Sequence, residues 1–175
     1  HYINSNLKKI LQERVYTELG LKTSGLAGLY IYYILLSHSL LNENGIASWL
    51  IPSEFLLVNY GTVLREYLLK KVDLIRIHRF DPKDVQFDDA LVSSCIVTYK
   101  KKQNTNNKNL VFSFGDYLNP TKKDEIDKSM LSPTEKWHFI SGGFNSFKSS
   151  DTSVKIDDLF NVTRGLATGN NSYFI

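Results

Sequence analysis

Leu7, Ile10, Leu11, Val15 and Leu19 recur at helical spacing, with Lys8, Lys9, Glu13 and Arg14 between them. That pattern predicts an amphipathic first helix, with Asn4, Ser5 or Asn6 placed to cap it and Gly20 to end it. Residues 26–41 are the most apolar stretch, but they include Ser37, His38 and Ser39. They fall short of the roughly 18 apolar residues a membrane span needs and read as a buried helix. Asn42-Glu43-Asn44-Gly45 is a turn signal. Residues 46–51 then read as a buried strand stopped by Pro52. After a short turn at 53–59 and Gly61, Val63, Leu64, Tyr67 and Leu68 make the apolar face of another helix. Residues 72–80 and 91–99 read as strands around a polar loop with Pro82, and 110–114 as a further strand. The order helix, helix, strand, helix, strand, strand fits part of an α/β sheet finished by an antiparallel hairpin.

From Asp116 onward the pattern changes. Residues 116–132 are charged and turn-rich, Trp137-His138-Phe139-Ile140 is an apolar island, and 141–153 is loop-like, with 154–175 carrying Gly165 and Gly169 and ending on Tyr173-Phe174-Ile175. The boundary is expected at Gly115–Asp116, and no internal repeat is visible.

Composition adds limits. At 175 residues, with 42% hydrophobic and 22% charged positions, the chain suits one globular domain and part of another. A net charge of +3 is too small to indicate nucleic acid by itself. Cys95 is the single cysteine, so neither an internal disulfide nor a cysteine-rich zinc site is expected. His1, His38, His78 and His138 show no metal-ligand spacing. The start has no basic leader and no methionine, which reads as an excised or processed piece of a soluble, cytoplasmic protein.

No complete catalytic set is visible: no GxSxG, HExxH, Walker or GxGxxG pattern occurs. Gly165 and Gly169 lack the lysine and preceding strand of a phosphate loop. Asp88 and Asp89 are adjacent, which on a strand sends them to opposite sides. Cys95, mid-strand, reads as a buried apolar residue, and His38 and His78 as packing or surface histidines. Tyr30, Tyr32 and Tyr33 read as core. Lys100, Lys101 and Lys102 are either a solvated hairpin tip or a phosphate contact.

Four stretches carry a family resemblance. They are Gly28-Leu29-Tyr30-Ile31-Tyr32-Tyr33, residues 44–56 (NGIASWLIPSEFL), Leu64-Arg65-Glu66-Tyr67-Leu68-Leu69, and residues 86–99 (QFDDALVSSCIVTY). In order and spacing they resemble the C-terminal half of the catalytic domain of adenine-N6 DNA methyltransferases of type II restriction systems. Residues 159–171 (LFNVTRGLATGNN) are similar to the segment that opens the target-recognition region of the same family.

The resemblance implies an α/β fold: the C-terminal half of a class I (Rossmann-like) S-adenosylmethionine-dependent methyltransferase sheet with an antiparallel terminal hairpin, then part of a second domain. Residues 1–115 would belong to the catalytic domain, and 116–175 to a linker and the start of the target-recognition domain. The family's glycine-bearing cofactor loop and its Asn/Asp-Pro-Pro-Tyr/Phe tetrapeptide do not occur in these residues. The chain therefore reads as a piece beginning just after the catalytic motif, inactive alone, with no catalytic residue and no metal of its own. Double-stranded DNA is the implied partner, with a cognate endonuclease linked only functionally.

The implied chemistry is methyl transfer from S-adenosylmethionine to the exocyclic amine of a flipped adenine. Phe87 matches the position where the family places an aromatic against that base, with Phe80 as competitor; the other reading of Phe87 is a core anchor of its loop. Arg65 matches a recurrent family arginine and reads as a structural ion-pair or helix-end residue. Arg164, Thr168, Asn170 and Asn171 are implied DNA contacts or, equally, a structured turn. Two rivals stand beside this reading: a single-chain restriction-modification enzyme with a fused nuclease, and a non-catalytic DNA- or partner-binding module.

Overall fold

The computed structural model describes residues 4–87, 92–101, 107–138, 154, 156–161 and 163. Helix α1 (Ser5–Leu19) is capped by Asn4, whose side chain accepts from the Asn6 N–H at 2.9 Å. It closes on Gly20 at φ 71°, whose N–H reaches the Tyr16 carbonyl at 2.8 Å. Val15 and Leu19 are buried, but Leu7 and Ile10 are 49% and 59% exposed, so only the C-terminal half of the expected apolar stripe meets the core. Helix α2 (Leu29–Leu36) runs into a 3₁₀ turn at Ser37–Leu40. Strand β1 (Ile46–Pro52), helix α3 (Thr62–Lys70) and strands β2 (Asp73–Arg79), β3 (Ser94–Lys100), β4 (Asn109–Gly115) and β5 (Pro120–Asp127) complete the unit.

The strands form one sheet in the order β1-β3-β2-β4-β5. Strand β3 lies antiparallel between β1 and β2, so those two run parallel; β4 adds parallel to β2, and β5 returns antiparallel. Register and alternation sort the side chains into two faces. Trp49, Val97, Ile77 and Phe112 stand side by side on the face that joins Ile31, Leu35, Leu64 and Leu68 of the helices in the core. The opposite face carries two rows: Leu50, Ile96, His78, Ser113, Lys123; and Ser48, Thr98, Arg76, Val111, Glu125.

Polar stretch 116–132, expected to be linker, contains β5. Its residues alternate poorly because it is an edge strand, where exposed charge costs little and blocks further pairing; Ile126 alone is buried. The boundary expected at Gly115–Asp116 therefore falls in the β4–β5 turn, and the compact unit runs to Gly143, with Phe144–Ile175 as the second. Buried Trp137 donates its backbone N–H to the Leu56 carbonyl at 2.8 Å and its indole N–H to the Ser132 carbonyl at 2.9 Å. Lys128 meets the buried Asp73 carboxylate at 2.6 Å, fixing the end of β5 to the start of β2. In the second unit a short helix, α4 (Ile156–Leu159), is described.

Tyr32 is buried as expected, whereas Tyr33 is 62% exposed. Helix α2 shows why: it is apolar on every side, so periodicity could not choose the inward face. Arg65 is structural, but its acceptors are carbonyls of Phe55, Val58 and Pro133 and the Thr62 hydroxyl, not a carboxylate. Among the described residues no helix is long and apolar enough to cross a membrane.

Candidate substrate-facing end of the sheet

In a sheet with parallel strands, ligands gather beyond the strands' carboxyl ends, where the connections converge. Here that end is formed by Pro52 and Ser53 after β1, Phe80 after β2, and the turn after β4. The β2–β3 connection leaves from this end and carries Phe87, which is half-buried. Its rival Phe80 is 6% exposed, with its ring edge-to-face on His78 at 4.8 Å between centroids. Phe80 is thus packed into the sheet, and Phe87 is the aromatic left on the loop. Asp88 and Asp89 lie outside the described residues.

Other polar groups gather here. Burial, then the neighbouring Glu54 carboxylate just past β1, pushes the Tyr60 phenol up to about 12. The Tyr30 hydroxyl and Ser94 Oγ are buried without a hydrogen-bond partner among the described residues, as is Arg79 Nε. Burial drives the Tyr30 phenol upward, with Glu54 as the next cause. Cys95 is fully buried and its thiol is pushed upward for the same reason, so it is a packing residue as expected.

The lysine run stands elsewhere. Lys100 ends β3 opposite Ile46, whereas Ser94 begins it opposite Pro52. Lys100 and Lys101 are therefore roughly 20 Å of strand away from the loop bearing Phe87. Lys101 is occupied within the chain: its Nζ donates to the Leu41 carbonyl at 2.8 Å and pairs with Glu43 at 3.4 Å. Its backbone also bonds Asn44 and Gly45, so it locks the β1-side turn. Lys102, Arg164, Thr168, Asn170 and Asn171 lie outside the described residues.

His38 Nδ1 meets the Tyr67 hydroxyl at 3.0 Å, and burial, then Lys101, lowers its pKa. His78 is fully buried. Its Nε2 lies 3.1 Å from the Gly115 carbonyl and its Nδ1 2.9 Å from Ser113 Oγ. A carbonyl can only accept, so Nε2 carries the proton and Nδ1 accepts from the serine. Burial, then the charge of Arg76, holds His78 neutral by lowering its pKa. Sequence reading had no signal for this network, because its members come from two strands, β2 and β4, and meet only through their register. Among the described residues no group of three or more His, Cys, Asp or Glu side chains is placed to hold a metal ion.

Comparison with known proteins agrees with this architecture. Residues 2–86 match the family described as Eco57I restriction-modification methylase. The type II methyltransferase M.AccI of Acinetobacter calcoaceticus is 33% identical over 99% of this chain and 34% of its own length. The type II methyltransferase M.XamI of Xanthomonas campestris pv. amaranthicola is 25% identical over 89% of the chain and 30% of its own. The chain thus spans about a third of the length of these relatives. In fold it resembles the type IIG restriction endonuclease BpuSI, with a TM-score of 0.56 at 12% identity, over 78% of this chain and 19% of that one. The resemblance to the modification enzymes of restriction systems is borne out, and so is the Rossmann-like α/β fold.

Proposed function

We propose, from the premise that this chain carries part of a restriction-modification methylase, that it serves a site-specific DNA adenine-N6 methyltransferase. That enzyme acts in the cytoplasm on double-stranded DNA and protects sites from a cognate endonuclease. The match of residues 2–86 to the methylase family is the observation that carries the reading. The sheet-bearing unit supplies part of the catalytic domain, and the residues beyond it lead into target recognition.

S-adenosylmethionine supplies the methyl group when bound. A target base must leave the duplex at a cost of a few kcal/mol. Stacking on an aromatic ring returns about 1–3 kcal/mol, and Phe87, on the β2–β3 connection at the strands' carboxyl ends, is the ring assigned to it. Lys100 is a phosphate contact in this reading, remote from the base. Arg164, Thr168, Asn170 and Asn171 contact DNA at the entry to target recognition.

The test is to incubate the full-length protein with duplex DNA and methyl-labelled S-adenosylmethionine, then hydrolyse the DNA and identify the labelled base. N6-methyladenine is expected. Label confined to cytosine, or no transfer, overturns the reading.

A further inference from the structure

The β4–β5 turn folds back over the sheet face opposite the helices. Gly115, at φ 100°, starts the reversal; a Cβ there would stand 2.7 Å from Thr121 Oγ1. Asp116 Oδ1 then accepts from the N–H groups of Leu118 and Asn119 at 2.9 and 2.6 Å, holding the turn in one shape. Between this turn and the sheet lies a cleft of about 320 Å³ lined by Ile75, Arg76, Val111, Tyr117, Leu118, Pro120 and Lys123. Its lining contains two cations and no carboxylate.

Arg76 is held without being neutralised. Its Nε and Nη2 donate to Ser113 Oγ at 3.2 and 3.0 Å, and its guanidinium lies over the Tyr117 ring at 4.7 Å from the centroid. Ser113 is in turn committed to His78, and the His78 ring meets Tyr117 edge-on at 5.1 Å. Every one of these partners is uncharged. Arg65 offers the contrast: it is 1% exposed and spends its donors on interior oxygens. Arg76 is half-buried, and three of its five N–H groups make no hydrogen bond among the described residues. A rigid, charged fork with free donors is suited to two oxygens of one phosphate. Lys123 is exposed on the same face, one register row away, and supplies a second charge.

We propose that this cleft holds a phosphate of the DNA backbone, with Arg76 gripping it and Lys123 supporting it. The role rests on the reading of the protein as a DNA methyltransferase and adds an anchoring point beside the base-binding end, on the sheet face opposite the helices. Phosphate contacts of this kind orient a duplex without reading its sequence.

The experiment measures duplex affinity of the full-length protein against salt for Arg76→Gln, Lys123→Gln and Lys122→Gln. Lys122 sits one residue earlier on the other face of β5, so its variant removes the same charge outside the cleft. Each cleft variant is expected to lower the slope of log affinity against log salt by about one unit. Cognate and scrambled duplexes should weaken alike, while Lys122→Gln leaves the slope near that of the unsubstituted protein. If Arg76→Gln does not fold, the Lys123→Gln and Lys122→Gln pair decides. Unchanged slopes with adenine methylation retained overturn the cleft assignment alone, and equal losses in Lys122→Gln and Lys123→Gln do the same. Failure of the unsubstituted protein to bind or methylate duplex DNA overturns the underlying reading as well.

Discussion

Arg65 reaches Pro133, 68 residues further along the chain, with its Nε donating to the proline carbonyl at 2.8 Å. The same guanidinium holds the carbonyls of Phe55 and Val58, so one side chain joins α3, the turn after β1 and the strap that carries Trp137.

Replacing Arg65 by Leu leaves those carbonyls buried without a donor, each at about 1–3 kcal/mol. Urea unfolding of Arg65→Leu should give a loss of at least about 3 kcal/mol. Arg65→Lys, with a point charge in place of a fork, should recover less than half of it. A loss under 1 kcal/mol for the Leu variant would mean that the strap is held by Trp137 alone.

Phe80 and Phe87 should separate by readout. Phe80 is packed against His78, and its change to Ala should cost about 3 kcal/mol of stability or more. Phe87→Ala should cost much less stability, yet reduce the fluorescence rise of 2-aminopurine placed at the target base. Normal fluorescence and methylation kinetics in Phe87→Ala would return that ring to its other role, as a core anchor of its loop.

Stability should decline as pH falls through the histidine range. His78 has its pKa lowered in the folded state, so the unfolded chain binds the proton first. Its contribution is complete above the unfolded value of about 6.5 and is lost as pH falls towards the folded one. His38, lowered for a similar reason, acts in the same direction. Thermal midpoints measured from pH 7.5 down to 5 should fall less steeply in His78→Gln than in the unsubstituted protein. Parallel curves would assign the slope to His38 and the carboxylates.

Cys95 should resist thiol reagents in the native protein and react fully in denaturant, because burial disfavours its thiolate. Rapid native labelling with Ellman's reagent would mean that β3 opens readily.

Helices α1 to α3, strands β1 to β4 and most of the core were legible because local spacing carries them; the short helix α4 was not. Leu7 to Leu19 marks α1, Asn4 and Gly20 its ends, and alternation or continuous apolar runs the strands. The reading of Phe87 came from resemblance, and the structure adds where its loop leaves the sheet. Strand β5 was not legible: PTKKDEID has no apolar period, and it is a strand only because β4 offers it an edge.

Position along the sheet was likewise hidden. Lys100 and Phe87 are 13 residues apart in sequence, yet β3 carries them to opposite ends of the sheet. The sequence by itself determined which segments of residues 1–115 are helical or extended, that Cys95 is buried, and the resemblance to restriction-modification methylases. Tertiary structure alone decided that Arg76, His78, Ser113, Tyr117 and Lys123 share one face. Their meeting depends on the register of β4, pairing parallel beside β2, and on β5 returning antiparallel beside β4. Hydrogen bonds between distant strands set that register, and no local pattern encodes it.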